Sequence, residues 1–99
     1  MARYNVVSID NETIGQGGRT IDRGEFESAE AAIDRARQLV DAALFEHFAG
    51  ASSAHELMAR YMRKGSEVPM IYGEPRVAFH AYQYAREKAI AMFAESLER

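Results

Sequence analysis

The segment Gly24-Glu25-Phe26-Glu27-Ser28 separates strand-like sequence from a long amphipathic helix, and this change decides the fold class. Ser28 is suited to accept a backbone N–H group at a helix N-terminus, and Glu30 in the first turn interacts favourably with the helix dipole. The residues that fall on one helical stripe are Ala29, Ile33, Ala36, Val40, Ala43, Leu44 and His47. The pattern predicts a helix over Ala29–Phe48 that packs one face on a sheet.

The sequence before this segment predicts two strands. Residues Arg3–Ile9 are rich in β-branched and aromatic side chains, which are typical of a strand with a buried face. A turn cluster with Gly15, Gly17 and Gly18 follows. Residues Arg19–Phe26 then predict a second strand, antiparallel to the first.

A short second helix is expected after the long one. Gly50 is suited to end the first helix in a left-handed conformation, and Ser53 and Glu56 stand at the spacing of a capping box. The apolar residues of the short helix lie on a single stripe, and Gly65 follows it. The narrow apolar stripe therefore predicts that this helix packs against one neighbouring element.

The last third of the chain predicts strands followed by a helix. Val68–Tyr72 is a strand in this interpretation, and Pro69 indicates an edge strand or a strand start. After the turn residues Gly73-Glu74-Pro75, Arg76–Phe79 is expected to form a short fourth strand. An apolar arc then predicts a helix from about Ala81 to Leu97.

These elements predict one compact α+β domain over residues 1–99, in the order β-β-α-α-β-(β)-α. A small antiparallel sheet of three or four strands carries three helices on one face. The other sheet face is then exposed to solvent or covered by a partner. A second subunit would add stability to a domain of this size.

Composition excludes several classes of function. The 99 residues are 47% hydrophobic and 27% charged, as in a globular domain. The absence of cysteine excludes disulfides, thiolate nucleophiles and iron–sulfur clusters. A net charge of −3 with scattered basic residues argues against nucleic-acid binding. No stretch approaches the ~20 apolar residues of a membrane span, so we expect a cytoplasmic protein without membrane association.

Two short motifs resemble a group of small uncharacterised bacterial ββααβα proteins. In that group a strand ending in Gly-x-Phe-x-Ser/Thr precedes a Glu- and Ala-rich helix, and a Phe-x-Ala…Tyr-Ala element opens the last helix. The matching residues here are Gly24, Phe26, Ser28, Phe79, Ala81, Tyr84 and Ala85. This chain has His80 where those proteins tend to have a capping serine. The resemblance implies a fold and no chemistry.

No catalytic, metal or cofactor motif stands out. The glycines before Arg19 could form an anion-binding loop, but they lead into a strand rather than a helix, so a hairpin loop is the favoured interpretation. His47, His55 and His80 lie at helix ends without metal-ligand spacing, and structural roles are expected for them. The sequence therefore predicts no cofactor and no metal site.

Two hypotheses for function remain. The first is a non-enzymatic protein-interaction module, expected to form a homodimer or to bind another protein. The contact would use a sheet edge, a sheet face, or a helix surface bearing Phe45 or Tyr84. The alternative is a small-ligand or anion-binding protein, with catalysis left open. Its pocket is expected between the glycine loop and the start of the last helix, lined by Arg19, Tyr72, Arg76, His80 and Tyr82.

Overall fold

The computed structural model describes residues 3–10, 20–63 and 67–97, with side chains for 3–9, 20–63 and 67–95. The elements in chain order are β1 (Tyr4–Asp10), β2 (Thr20–Phe26), α1 (Ala29–Phe48), α2 (Ala54–Tyr61), β3 (Glu67–Gly73) and α3 (Ala81–Leu97). They form an α+β structure with a three-stranded antiparallel sheet and three helices, as the sequence predicts.

The sheet has the strand order β2-β1-β3, and β1 pairs antiparallel with both neighbours. β3 is therefore an edge strand, as Pro69 indicates. The β1–β2 register shifts between Asn5 and Val7, which marks a β-bulge in β2. Gly24 adopts a φ of 122° there, and its N–H donates to Asp22 Oδ1 at 2.9 Å. A residue with a side chain would be strained at this position.

One face of β1 is buried beneath α1, and we call it the inner sheet face. Its residues Tyr4, Val6 and Ser8 alternate along the strand and are buried. Tyr4 and Val6 belong to one core cluster with Ala32 and Ala36 of α1. The small alanine side chains allow α1 to approach the strand closely.

Both predicted N-caps are formed. The Ser28 hydroxyl accepts the Ala31 N–H at 3.1 Å, and the Ser53 hydroxyl accepts the Glu56 N–H at 3.1 Å. The left-handed stop predicted at Gly50 is wrong, because Gly24 is the one described residue with a positive φ. A Cβ atom on Gly50 would lie 2.9 Å from Arg60 Nη1, which is the end of a flexible side chain and can move aside.

A second core cluster joins the three helices. Its buried residues are Val40, Leu44, Leu57, Tyr61, Val68, Ala81, Ala85, Ala89 and Met92. At its margin the rings of Phe48 and Phe93 lie 4.9 Å apart. Phe79 packs against both clusters and so connects the sheet core to the helical core.

The fourth strand expected over Arg76–Phe79 is not present among the described residues. This segment alternates like a strand, with Val77 and Phe79 half-buried and Ala78 exposed. Val77 and Phe79 pack against the core, and no ladder joins the segment to β3. Core packing of its apolar side chains therefore takes the place of strand pairing.

Within the described ranges, no helix is long and apolar enough to cross a membrane.

Candidate functional site

A groove runs along β3 between this strand and the chain that leads into α3. It has a volume of about 910 Å³. Its lining includes four residues predicted from the sequence to share a pocket, namely Tyr72, Arg76, His80 and Tyr82. We call this cavity the β3 groove. The fifth predicted residue, Arg19, lies outside the described residues.

The fold explains why these four side chains meet. β3 and the extended segment 76–80 run on either side of a turn, so residues close in sequence border the same groove. Because Val77 and Phe79 pack against the core, the alternation of an extended chain leaves Arg76 and His80 exposed. The groove therefore presents two basic side chains beside an apolar wall.

The remaining polar groups of the β3 groove are a carboxylate and two phenols. Glu74 lines the groove near Arg76 in sequence. The Tyr72 hydroxyl donates to Met70 Sδ at 3.9 Å, and the Tyr82 ring lies edge-on to the ring of Tyr61 at 6.1 Å. Burial raises the pKa of Tyr82, so this phenol remains a neutral hydrogen-bond donor at physiological pH. Mostly apolar walls with a few polar groups are typical of ligand-binding clefts.

The sheet also has a second face, which is opposite to α1. Alternation along the paired strands places Val7 and Ile9 of β1 on it with Met70 and Tyr72 of β3. None of these four residues belongs to either core cluster, whereas Val68, which pairs with Ile9 at one end of this face, is buried in the helical core. Tyr72 is 54% exposed. We call this surface the outer sheet face.

The two aromatic residues predicted to form a helix interface have different surroundings. Phe45 is 62% exposed on α1. Tyr84 is only partly exposed on α3. Its hydroxyl donates to Asp41 Oδ1 at 2.8 Å, and the Arg37 guanidinium lies 5.6 Å from its ring centre. Tyr84 therefore joins α3 to α1. The polar residues around it on α3 do not predict this contact with another helix.

A polar cluster crosses the sheet. Arg23 of β2 forms an ion pair with Glu67 of β3, across the central strand. Ser8 of that central strand is fully buried. Its hydroxyl and Arg23 Nε have no hydrogen-bond partner in the described part of the chain. The Arg23–Glu67 ion pair ties the two edge strands together.

Sequence patterns did not predict a second groove, which lies between α2 and α3. It has a volume of about 510 Å³. Its lining consists of Ala54, His55, Met58, Ala59, Met62, Arg86 and Ile90. The sequence signal for this groove is a spacing of four residues. It separates Met58 of α2 from Met62, which caps α2, and Arg86 from Ile90 of α3.

The three histidines do not form a metal centre with neighbouring acids. Among residues 3–10, 20–63 and 67–97, no group of three or more histidine, aspartate or glutamate side chains could hold a metal ion. His55 and His80 instead line two different grooves.

Comparisons with protein-family models, curated proteins and solved structures gave no significant match. The resemblance to small bacterial ββααβα proteins therefore stays a prediction.

Proposed function

We propose that this protein is a non-enzymatic interaction module that forms a homodimer through the outer sheet face. The observation that carries the proposal is the position of Val7, Ile9, Met70 and Tyr72 outside both core clusters. Apolar side chains grouped on one sheet face are stabilised when a second layer removes them from water.

The dimensions of the molecule support this proposal. The molecule measures 45 × 32 × 17 Å. Its shortest dimension accommodates two layers, the sheet and one layer of helices, because packed layers lie ~10 Å apart. The radius of gyration is 14.2 Å. A compact chain of about 100 residues has a radius of gyration near 13 Å. The flat shape leaves much surface exposed, and a second copy on the outer sheet face supplies another layer.

The charges beside this face also suit a symmetric dimer. Arg3 Nη1 and Glu25 Oε1 form an exposed ion pair at 3.0 Å, and Glu25 is paired with Asn5 of β1. In a two-fold dimer the same patch occurs on both subunits. The margin of the face therefore carries one charge of each sign on both subunits. An apolar centre with a charged rim is the usual anatomy of an interface.

The mass in solution tests the proposal, measured by sedimentation and light scattering over a range of concentrations. We expect the wild-type protein to be dimeric and Val7→Glu to be monomeric, since each interface would then bury two uncompensated charges. Circular dichroism checks that the variant stays folded. A wild-type protein that remains monomeric at every concentration would contradict the proposal.

Phe45→Glu is the matched control for this experiment. It places the same charge on an exposed aromatic site of α1, away from the sheet. We expect Phe45→Glu to leave the dimer intact. If Phe45→Glu dissociates the dimer and Val7→Glu does not, the interface is the helix surface instead.

We also propose an anion-binding function for the β3 groove. The supporting observation is the convergence of Arg76 and His80 with two phenols in one concave surface. Benzoate and inorganic phosphate are suitable probes, and NMR chemical shifts report where they bind. We expect Arg76→Gln to weaken binding of both probes. Shift changes that avoid the β3 groove would contradict this second function.

A further inference from the structure

We infer that the β3 groove binds an extended acidic peptide segment of a partner protein, which adds to the sheet as a strand beside β3. This inference rests on the proposed anion-binding function of the same groove and names its ligand. The groove shares Met70 and Tyr72 with the outer sheet face, whereas Arg76 and His80, which supply its basic groups, lie outside that face.

The first argument concerns the backbone. β1 pairs with one side of β3, and no other described strand pairs with the opposite side. Residues 76–79 form no backbone–backbone hydrogen bond within the described part of the chain. Two extended backbones therefore border the β3 groove with unused N–H and C=O groups. Unpaired strand edges recruit further strands, and peptide recognition often uses this geometry.

The position of the added strand follows from β3 itself. Pro69 has no N–H group to donate, and both Val68 and Pro69 are buried. Met70 is half-buried and Tyr72 is exposed, so the second half of β3 is the accessible edge. A segment of about five residues spans roughly 17 Å as a strand, so it is shorter than the seven residues of β3.

The second argument concerns charge. Arg76 and His80 are exposed, line the groove, and stand four residues apart on one side of an extended segment. At ~3.3 Å per residue they lie about 13 Å apart. Side chains at positions i and i+4 of a bound strand have the same spacing and the same direction. A peptide with acids at these two positions therefore places one carboxylate beside each basic side chain, and charge-assisted hydrogen bonds to arginine are strong.

Glu74 adds a constraint on the peptide. It lines the same groove, close to Arg76 in sequence. A further acidic residue beside Glu74 would be repelled, since like charges in close contact oppose binding. The preferred peptide is thus acidic at two positions rather than acidic throughout.

Calorimetric titration of the full chain with acetyl-Glu-Val-Thr-Val-Glu-amide tests the inference. We expect saturable binding, and about tenfold weaker binding by Arg76→Gln and by His80→Gln, which is near the loss of one charge-assisted contact. Arg63→Gln is the matched control, because it removes the same charge from an exposed site outside the groove. Its affinity should equal that of the wild-type protein.

Two modified peptides separate strand addition from simple charge attraction. The same peptide methylated at alternate backbone nitrogens keeps both carboxylates but loses backbone donors. Replacement of both glutamates by lysine keeps the backbone but reverses the charge. We expect each change to abolish measurable binding. Equal affinity of the methylated and unmethylated peptides would overturn strand addition.

The remaining outcomes distinguish this inference from the proposed function. If benzoate and phosphate bind through Arg76 but the peptide does not, the groove is an anion site and the peptide inference is wrong. If no probe binds the β3 groove, the anion-binding function fails as well. If the peptide binds only by dissociating a dimer, a strand of a second copy is the natural occupant, and the partner-protein inference is again wrong.

Discussion

Val6 and Val7 are neighbours in β1 with the same side chain and opposite surroundings. Val6 is fully buried beneath α1, whereas Val7 is half-buried on the outer sheet face and belongs to neither core cluster. Identical side chains one residue apart therefore separate the effect of burial from that of residue type. The inner sheet face should hold the fold together, while the outer sheet face should contribute less to the stability of one chain.

The largest expected effect comes from truncating these two valines. Val6→Ala removes two methyl groups from a packed core and should lower the free energy of unfolding by about 2–3 kcal/mol. Val7→Ala should cost less than about 1 kcal/mol, because its side chain is only partly removed from water. Urea unfolding measures both values, at a concentration where the protein is monomeric. Equal losses from the two substitutions would show that the outer sheet face is covered within one chain.

The next prediction concerns the helices that cover the inner sheet face. Tyr84→Phe removes the hydrogen bond to Asp41 that joins α3 to α1. We expect a loss of about 1 kcal/mol in the free energy of unfolding, since this hydrogen bond is partly exposed. Asp34→Ala on the exposed face of α1 is the control and should change stability much less.

The same substitution should change the response to alkaline pH. Burial, followed by the hydrogen bond to Asp41, raises the pKa of Tyr84 from 10.0 to about 12. The folded protein therefore binds this proton more tightly than the unfolded chain does. The resulting stability is complete below pH 10 and is lost as the pH rises toward 12. Across this pH interval, the free energy of unfolding of Tyr84→Phe should fall less steeply than that of the wild-type protein. Tyr61 is present in both proteins and contributes equally to each.

Local features of the fold were predictable from sequence. The long helix has the expected bounds, Ala29–Phe48, because its capping serine and its periodicity are both encoded within the segment. The convergence of Tyr72, Arg76, His80 and Tyr82 was predictable for a related reason, since one turn brings neighbouring residues together. Short sequence separation made these predictions possible.

Features that depend on distant contacts were not predictable in the same way. Arg76–Phe79 has the alternation of a strand, but whether it pairs depends on how Val77 and Phe79 pack against the core. Helical periodicity placed Tyr84 among polar residues, while its partner Asp41 stands 43 positions earlier in the chain. The α2–α3 groove likewise requires the relative position of two helices. Single-sequence patterns carry little information about such contacts.

Ser8 is the polar exception on the inner sheet face, and it gives the smallest expected effect. Its side chain is fully buried, yet its hydroxyl has no hydrogen-bond partner among the described residues. Ser8→Ala removes an unpaired polar group without creating a large cavity, so stability should be unchanged or should rise by up to about 1 kcal/mol. Val6→Ala, two residues away on the same face, is the matched comparison.

A loss of more than about 1 kcal/mol in the free energy of unfolding of Ser8→Ala, measured in urea, would mean that the hydroxyl makes a stabilising hydrogen bond, as buried polar groups normally do. A neutral or stabilising result would instead identify close packing, and not polarity, as what distinguishes the inner sheet face from the outer one.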